Sequence, residues 1–515
     1  MQTEGRLAGS GLTPRQIHVV MIAVMTGMFL AAIDGTIVST AMPTIVGELG
    51  NQSQAPWIAV GYLMTQCIAT PIVGKLSDLY GRKQTYQVTI VVFLAASVLA
   101  ASAQNMPQLV LFRALQGIGA GGLLSLPMAI VGDILPPAER ARYQGYIAAS
   151  FAFATLLGPL AGGFFVDHLS WRWVFFINLP IGMVSMWMVQ QKLHIARTPT
   201  RRNIDFAGAF ALSAAISPIV LALLWSGAQN GWDSAITIGL FAFGFIAAIV
   251  FVLIELHAKE PILPMSLFSS RVTRTSLIGG FVIGIAMYGV VAWTTLFLQV
   301  VVGTSATVSG LLTAPNAFGI TIASIVSGRL IAKHRVYKPF PIIGVALLTL
   351  GAVLLGTMDE NTSKWGVCIR LAIAGLGMGQ IGPSLTIIVQ NAVEYRDLGV
   401  ATAGLSFIRT LGGVFGSAVI GAVFQNRLNT LIPRYVGAEA ISQLPDPEAL
   451  RGTPSVIRAL PEPIQSQVIR AFADAITIAI RCTIPVLVIA FIVFALNPKI
   501  PLRDSFDSTH AAATE

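Results

Sequence analysis

Residues Gly74-Lys75-Leu76-Ser77-Asp78-Leu79-Tyr80-Gly81-Arg82-Lys83 stand as a polar break between two apolar stretches, near 55–74 and 85–104. An apolar run of about 20 residues crosses a bilayer as a helix, so the break reads as a tight loop on one membrane face. Glycine allows the close turn. Asp78 and Arg82 are four residues apart and can pair across one helical turn. An ordinary cytoplasmic loop accounts for the lysines and arginines. It does not account for the framing by Gly74, Asp78 and Gly81.

The rest of the chain has the same character. Its 515 residues would by length alone fill roughly three soluble domains. Hydrophobic residues make up 55% and charged residues 11%, and the mean hydropathy is +0.75. Soluble chains carry about 25% charged residues, so the composition excludes a set of soluble domains. Disorder, coiled coil and nucleic-acid binding are excluded with it. The cysteines Cys67, Cys368 and Cys482 lie in or at the ends of apolar stretches and form no CxxC pair. Neither a disulfide framework nor a zinc site is indicated. The first apolar stretch is too long for a signal peptide and carries Asp34.

Fourteen apolar stretches are expected to span the membrane, near 18–43, 55–74, 85–104, 107–131, 143–166, 173–190, 205–226, 234–256, 275–300, 308–331, 339–357, 367–390, 401–424 and 475–497. Alternate loops then hold nearly all the cations, among them Lys75, Arg82, Lys83, Arg140, Arg142, Lys192, Arg271, Arg329 and Lys333. The opposite short loops hold only Arg172 and Lys364. Both termini are therefore expected in the cytoplasm, and the net charge of +9 reads as topology. Residues 425–474 form a long outside segment that is basic and rich in Pro. Long loops translocate regardless of charge. A short amphipathic helix is expected near 462–473, and a polar tail over 498–515.

An internal repeat is present. Gly74-Lys75-Leu76 returns as Gly328-Arg329-Leu330, and 328 − 74 = 254. Arg113 with Gly117, Gly119 and Gly121 returns as Arg370 with Gly375, Gly377 and Gly379, and 370 − 113 = 257. Gly158 and Gly162 return as Gly412 and Gly416, and 412 − 158 = 254. The offset is eight spans, which is six plus two. Parallel repeats of six helices are a transporter architecture. The expected fold is all-α, integral to the membrane, with fourteen helices as 6+2+6. The layout is a six-helix bundle over 1–190, a two-helix insert with flanking loops over 191–270, and five helices of a second bundle over 271–424. The outside loop 425–474, the last helix 475–497 and the tail 498–515 complete it.

Asp34 and Arg113 lie inside apolar spans, where a charge costs about 2.5–3.5 kcal/mol on insertion scales. Asp34 is nine residues from Pro43, about 13 Å from the outer end of its span. Arg113 is six residues from Pro107, about 9 Å from the outer end of its own. They can share a depth and pair. A carboxylate held beside an arginine and next to a wettable cavity can exchange protons, whereas a purely structural ion pair needs no cavity. Gly158 and Gly162 share one helix face and permit close helix approach, and Pro159 kinks the helix between them. The GxGxxG pattern at Gly117 follows no strand, so small residues for helix contact explain it better than a nucleotide site.

The opening segment resembles the signature loop of the major facilitator superfamily. Leu111-Phe112-Arg113-Ala114-Leu115-Gln116-Gly117 resembles that family's fourth-span motif, and Leu157-Gly158-Pro159-Leu160-Ala161-Gly162-Gly163 its antiporter motif. The segment from Leu30 to Pro43, with Trp171-Arg172-Trp173-Val174-Phe175-Phe176-Ile177-Asn178 and Gln299 to Gly303, looks like the fourteen-span drug:proton antiporters, the multidrug exporters. The resemblance implies a cytoplasmic latch made by Gly74, Asp78, Gly81, Arg82 and Lys83 with Asp133. It implies proton coupling at Asp34 and Arg113, and a packing motif at Gly158, Pro159, Gly162 and Gly163. The second-half copy of the loop lacks the acid, so the latch is expected to be one-sided. Position 288, at the offset from Asp34, is Tyr288, which places proton handling in the first half.

The implied activity is export of lipophilic or cationic drugs across the bacterial cytoplasmic membrane, with antibiotic resistance as the phenotype. Protons are the coupling ion, and no cofactor or metal is implied. Candidate cavity residues are Tyr62, Gln66, Tyr288, Trp293, Asn316 and Phe407, although packing or interfacial anchoring explains each of them better. The alternative cargo is a lipid or other endogenous metabolite, since fold does not fix substrate. The partners are the bilayer and a small lipophilic substrate, and the 425–474 loop offers a place for a periplasmic adaptor. The six histidines form no HExxH pair, and no P-loop is present, so neither an enzyme nor an ATP-driven pump is indicated.

Overall fold

The computed structural model describes residues 14–49, 55–135, 137–193, 205–228, 231–258, 261–394, 398–437, 457–458, 460–498 and 501–502. Among these residues the regular structure is helical, and there is no strand. The first group is α1 (Pro14–Leu49), α2 (Ala55–Tyr80), α3 (Arg82–Ala101), α4 (Met106–Ile134), α5 (Pro137–His168), α6 (Trp173–Phe176) and α7 (Asn178–Lys192). Then follow α8 (Phe206–Ala228) and α9 (Ala235–His257). The last group is α10 (Arg271–Val300), α11 (Ala306–His334), α12 (Pro339–Leu355), α13 (Lys364–Ala392), α14 (Leu398–Val436), α15 (Ile464–Arg481) and α16 (Thr483–Ala495). Twelve helices are long and apolar enough to cross a membrane, α6 with α7 and α15 with α16 each counting once. The 30-residue α10 and the 17-residue, apolar α12 stand beside those twelve.

Local chemistry sets the helix starts. At the end of the bundle opposite the basic loops, α4, α9, α11 and α13 begin on Asn105, Ser234, Ser305 and Ser363. Each side chain accepts a hydrogen bond from the backbone N–H three residues on. Such caps satisfy first-turn donors that have no partner within the helix. Proline occurs inside α4 at Pro127 and inside α13 at Pro383, and 383 − 127 = 256.

The two helix groups pack alike. The contacts α1–α5, α2–α4, α3–α4 and α1–α7 recur as α10–α14, α11–α13, α12–α13 and α10–α16. The likeness reaches single atoms. Gly117 and Gly121 of α4 lie against the backbone of Tyr62 and Gln66 in α2, and Gly375 and Gly379 of α13 against that of Asn316 and Ile320 in α11. The matched positions differ by 316 − 62 = 254 and 320 − 66 = 254. α8 and α9 pack on each other, and α8 also touches α2 and α14.

The groups meet along α5–α11 and at α2–α14. Gly74 of α2 lies against Ala403 of α14, and Gly145 of α5 against Ile325 of α11. Both contacts are at the end that carries the basic loops, so the bundle is closed there.

α14 continues past residue 424 to Val436, 39 residues in all. At 1.5 Å per residue it is about 58 Å long, well beyond the hydrocarbon core of about 30 Å. Its extension packs on α15, whose apolar face buries Val468, Phe472, Ile476 and Ile480. Tyr435 donates its hydroxyl hydrogen bond to Asp474 at 2.6 Å. The amphipathic segment expected near 462–473 and the last span are thus one helical run, interrupted at Cys482.

Candidate functional site

Asp34 lies in α1 with no solvent exposure, and Arg113 of α4 is 2% exposed. Arg113 Nη1 lies 2.5 Å from Asp34 Oδ2. Asp34 Oδ1 accepts from Gln116 Nε2 at 2.9 Å and from Asn178 Nδ2 at 2.8 Å. Gln116 Oε1 accepts from Arg113 Nη1 at 2.7 Å, which fixes the orientation of that amide. Asn178 Nδ2 also donates to Ser97 Oγ at 2.9 Å, and Ser97 donates onward to the Phe175 carbonyl at 2.9 Å. The guanidinium of Arg113 sits over the Tyr62 ring, 4.1 Å from its centroid. A charge in the membrane interior persists only with such partners. The carboxylate is enclosed in this state.

The backbone stays helical through Ile177, with φ of −59° and ψ of −24°, and Asn178 reaches the pair from this run. α6 ends at Phe176 and α7 starts at Asn178, at the depth of Asp34. Gln116, Asn178 and Ser97 were not singled out in the sequence, although Gln116 and Asn178 fall inside the two quoted motifs. A lone amide in an apolar run is the available signal, and packing produces the same signal.

The opening loop forms a second charged cluster. Gly81 has φ of 95°, a left-handed conformation that glycine adopts without strain, and it lets α2 end and α3 begin at once. Arg82 is thereby placed between two acids. Its Nη1 is 2.5 Å from Asp78 Oδ1 and its Nε 2.6 Å from Asp133 Oδ2. It also donates to Ser77 Oγ. Gly399, in the first turn of α14, packs against Asp78 and the Arg82 guanidinium. The positive end of that helix dipole therefore faces the cluster. Lys83 points elsewhere and donates to the Gln190 carbonyl of α7 at 2.7 Å. Arg329, in the second-half copy, is exposed.

A further link lies at the same end. Arg140 is 2% exposed and donates to the Gly132 and Leu135 carbonyls at the end of α4, each at 2.7 Å. Its Nη1 is 3.3 Å from Gln390 Oε1 of α13. Gln390 in turn donates to the Met128 carbonyl at 3.2 Å and to Thr402 at 3.0 Å. Outside the membrane at the opposite end, Arg172 pairs with Glu48 at 2.5 Å. That hydrogen bond holds the Glu48 carboxyl below the usual carboxylate range.

Gly158 and Gly162 lie against Thr36 and Ile37 of α1, while Pro159 and Gly163 face Gly310 and Thr307 of α11. α5 is thus wedged between the helix of Asp34 and the second group. Thr36 donates to the Ala154 carbonyl at 3.1 Å across the same contact.

The candidate cavity residues that are described make contacts of their own. Tyr62 stacks on Arg113, and Asn316 donates to the Leu371 carbonyl at 3.0 Å. Trp293 packs on Phe424 with ring centroids 4.5 Å apart. Gln66 and Phe407 are buried. The Tyr288 side chain lies outside the described residues. A recess of about 420 Å³ opens instead between Trp232 and the outer part of α14, at Gln425, Asn426 and Asn429.

Residues 24–417 match the family model described as Major Facilitator Superfamily. The multidrug transporter protein MdtP of Bacillus subtilis is 40% identical over 79% of this chain and 75% of its own length. Multidrug resistance protein 3 of Bacillus subtilis is 32% identical over 96% of this chain and 97% of its own. Among solved structures, the proton:xylose symporter XylE superposes with a TM-score of 0.63 at 14% identity, covering 94% of this chain and 96% of that one.

Proposed function

The chain belongs to the major facilitator superfamily, and on that premise we propose that it is a proton-coupled antiporter exporting lipophilic or cationic compounds by alternating access. The multi-pass membrane fold and the multidrug relatives support export. The observation that carries proton coupling is the enclosed Asp34–Arg113 pair. A proton arriving at Asp34 cancels the charge that holds Arg113. The guanidinium then loses its counter-charge in a low-dielectric interior and must find another partner, which favours a different arrangement of α1 against α4.

The supporting layout is 6+2+6: the twelve candidate spans with α10 and α12 make fourteen, and α8 with α9 form the insert. The basic loops support a reading with both termini in the cytoplasm, and the proposed location is a bacterial inner membrane. In that orientation the closed end faces the cytoplasm, and Asp34 takes its proton from outside. Arg82 with Asp78 and Asp133 acts as the cytoplasmic latch, and Gly158, Pro159, Gly162 and Gly163 as the surface on which α5 turns.

The test is transport into proteoliposomes under an imposed pH gradient, screened against dyes, drugs and lipids. Wild type is expected to move a lipophilic cation against the proton flow, and Asp34→Asn to abolish this without loss of protein. Normal transport by Asp34→Asn sinks the coupling reading. The length of α14 and its packing on α15 favour one second reading, in which the outside extension guides a lipid or metabolite cargo. Deleting residues 440–465 separates the two, because a small-drug pump should survive that change better.

A further inference from the structure

We propose that Asn178 is the positioning residue that serves Asp34 in both protonation states, by rotating its side-chain amide half a turn when the carboxylate takes up a proton. The inference rests on the reading of Asp34 as the proton carrier. With Asp34 ionised, both of its oxygens need donors, and Asn178 Nδ2 supplies one at 2.8 Å. Asn178 Oδ1 is meanwhile buried without a hydrogen-bond partner. An orphaned buried acceptor is costly and calls for an explanation.

Protonation supplies that explanation. A proton from water adds to Asp34 Oδ1, no heavy-atom bond changes, and the new O–H needs an acceptor. Gln116 cannot become one, because its Oε1 is held by Arg113 and a flip would aim its NH2 at the guanidinium. Asn178 is free of that constraint. Half a turn about its terminal bond presents the idle Oδ1 to the carboxyl. Ser97, now accepting from Asn178, can donate to it instead by giving up its bond to the Phe175 carbonyl, since a hydroxyl takes either role. The surroundings otherwise hold few titratable groups. Arg113 of α4 lies on the carboxylate, and Tyr62 of α2 lies on the far side of that guanidinium. α5 brings none between Ile147 and Val166, α6 brings none, and α7 has only Lys192 at its far end.

The experiment is an infrared pH titration of the full-length protein in lipid, following the carboxylic C=O band that Asp34→Asn removes. Asn178→Leu keeps the size and loses the amide. It should move the band to the frequency of a carboxyl without a hydrogen-bond acceptor. The titration midpoint should rise by about one pH unit, because the charged form loses the stronger bond. Asn178→Ser, a milder change, should shift both in the same direction. An unchanged band and midpoint in either folded variant overturns the proposal, as does the absence of any titrating Asp34 band in wild type. A purely structural role would lower thermal stability and leave the band in place. The titration needs no substrate, so failure of pH-driven efflux counts against the antiporter reading and an unmoved band counts against Asn178.

Discussion

Arg82 Nε lies 2.6 Å from Asp133 Oδ2, so one guanidinium joins the start of α3 to the end of α4 while its other arm holds Asp78 of α2. All three side chains are at least four-fifths buried. Removing one partner of a buried pair costs about 3–5 kcal/mol. Arg82→Ala leaves two acids facing each other beneath Gly399 of α14. That cost falls on the arrangement closed at this end, where the cluster touches α14. Spin labels at the basic ends of α2 and α14 should therefore move apart in Arg82→Ala. Arg82→Lys should fall between, since an ammonium cannot span both carboxylates as the fork does. Unchanged label distances would show that the cluster holds only its own turn together.

Arg140 and Gln390 extend the closure across the two groups through hydrogen bonds. Gln390→Ala removes the bonds to Arg140, to the Met128 carbonyl and to Thr402. Neutral hydrogen bonds contribute about 0.5–1.5 kcal/mol each, and one to a charged group about 1.5–3. The expected result is opening at the basic end comparable to that in Arg82→Ala. Labelling of a cysteine placed beside Met128 should rise about tenfold or more, since 1.4 kcal/mol is a factor of ten. Gln390→Glu keeps an acceptor for Arg140 but loses the donor to the Met128 carbonyl and Thr402, so labelling should fall between wild type and Gln390→Ala.

The charged features were readable from the sequence because charge is expensive where they sit. Asp34 and Arg113 are conspicuous in apolar runs, and counting residues to the span ends put them at one depth. The partners that complete the network were not readable. Ser97, Gln116 and Asn178 are neutral, and a neutral polar residue in a span satisfies its needs locally as often as across helices. The extension of α14 was hidden for a related reason. Beyond residue 424 the chain turns polar, and a helix outside the bilayer has no need of the apolar pattern that marks a span. Residue type alone does not locate a cavity: Tyr62 lies on Arg113, Asn316 donates to the Leu371 carbonyl and Trp293 packs on Phe424.

Glu48 and Arg172 provide a control at the other end. Their side chains are 49% and 34% exposed, so the pair contributes about 0.5 kcal/mol or less after screening. The Glu48 carboxyl is held below its ordinary range in the folded protein. Its contribution is therefore present above the ordinary carboxylate range and is lost as pH falls through the lowered value. Melting of Glu48→Gln should match wild type in acid and lie at most slightly lower at neutral pH. A large loss at neutral pH would mean that the pair braces the outer end of α1 against the start of α6.

Gly162 and Gly163 are neighbours on α5 with different constraints. A Cβ on Gly162 would lie 3.0 Å from the backbone oxygen of Ile37, which cannot swing aside. Ile37 is three residues from Asp34, so pushing α1 away disturbs the carboxylate together with the packing. A Cβ on Gly163 would meet only the Thr307 hydroxyl at 3.0 Å, and a rotamer change relieves that. Overpacking a helix contact costs about 1–3 kcal/mol. Gly162→Val should therefore lower both thermal stability and pH-driven efflux, while Gly163→Ala leaves both close to wild type. The informative comparison is efflux at equal amounts of folded protein. If Gly162→Val loses stability yet each folded molecule transports normally, the α1–α5 contact is packing alone, and α5 has no part in holding Asp34 at its working position.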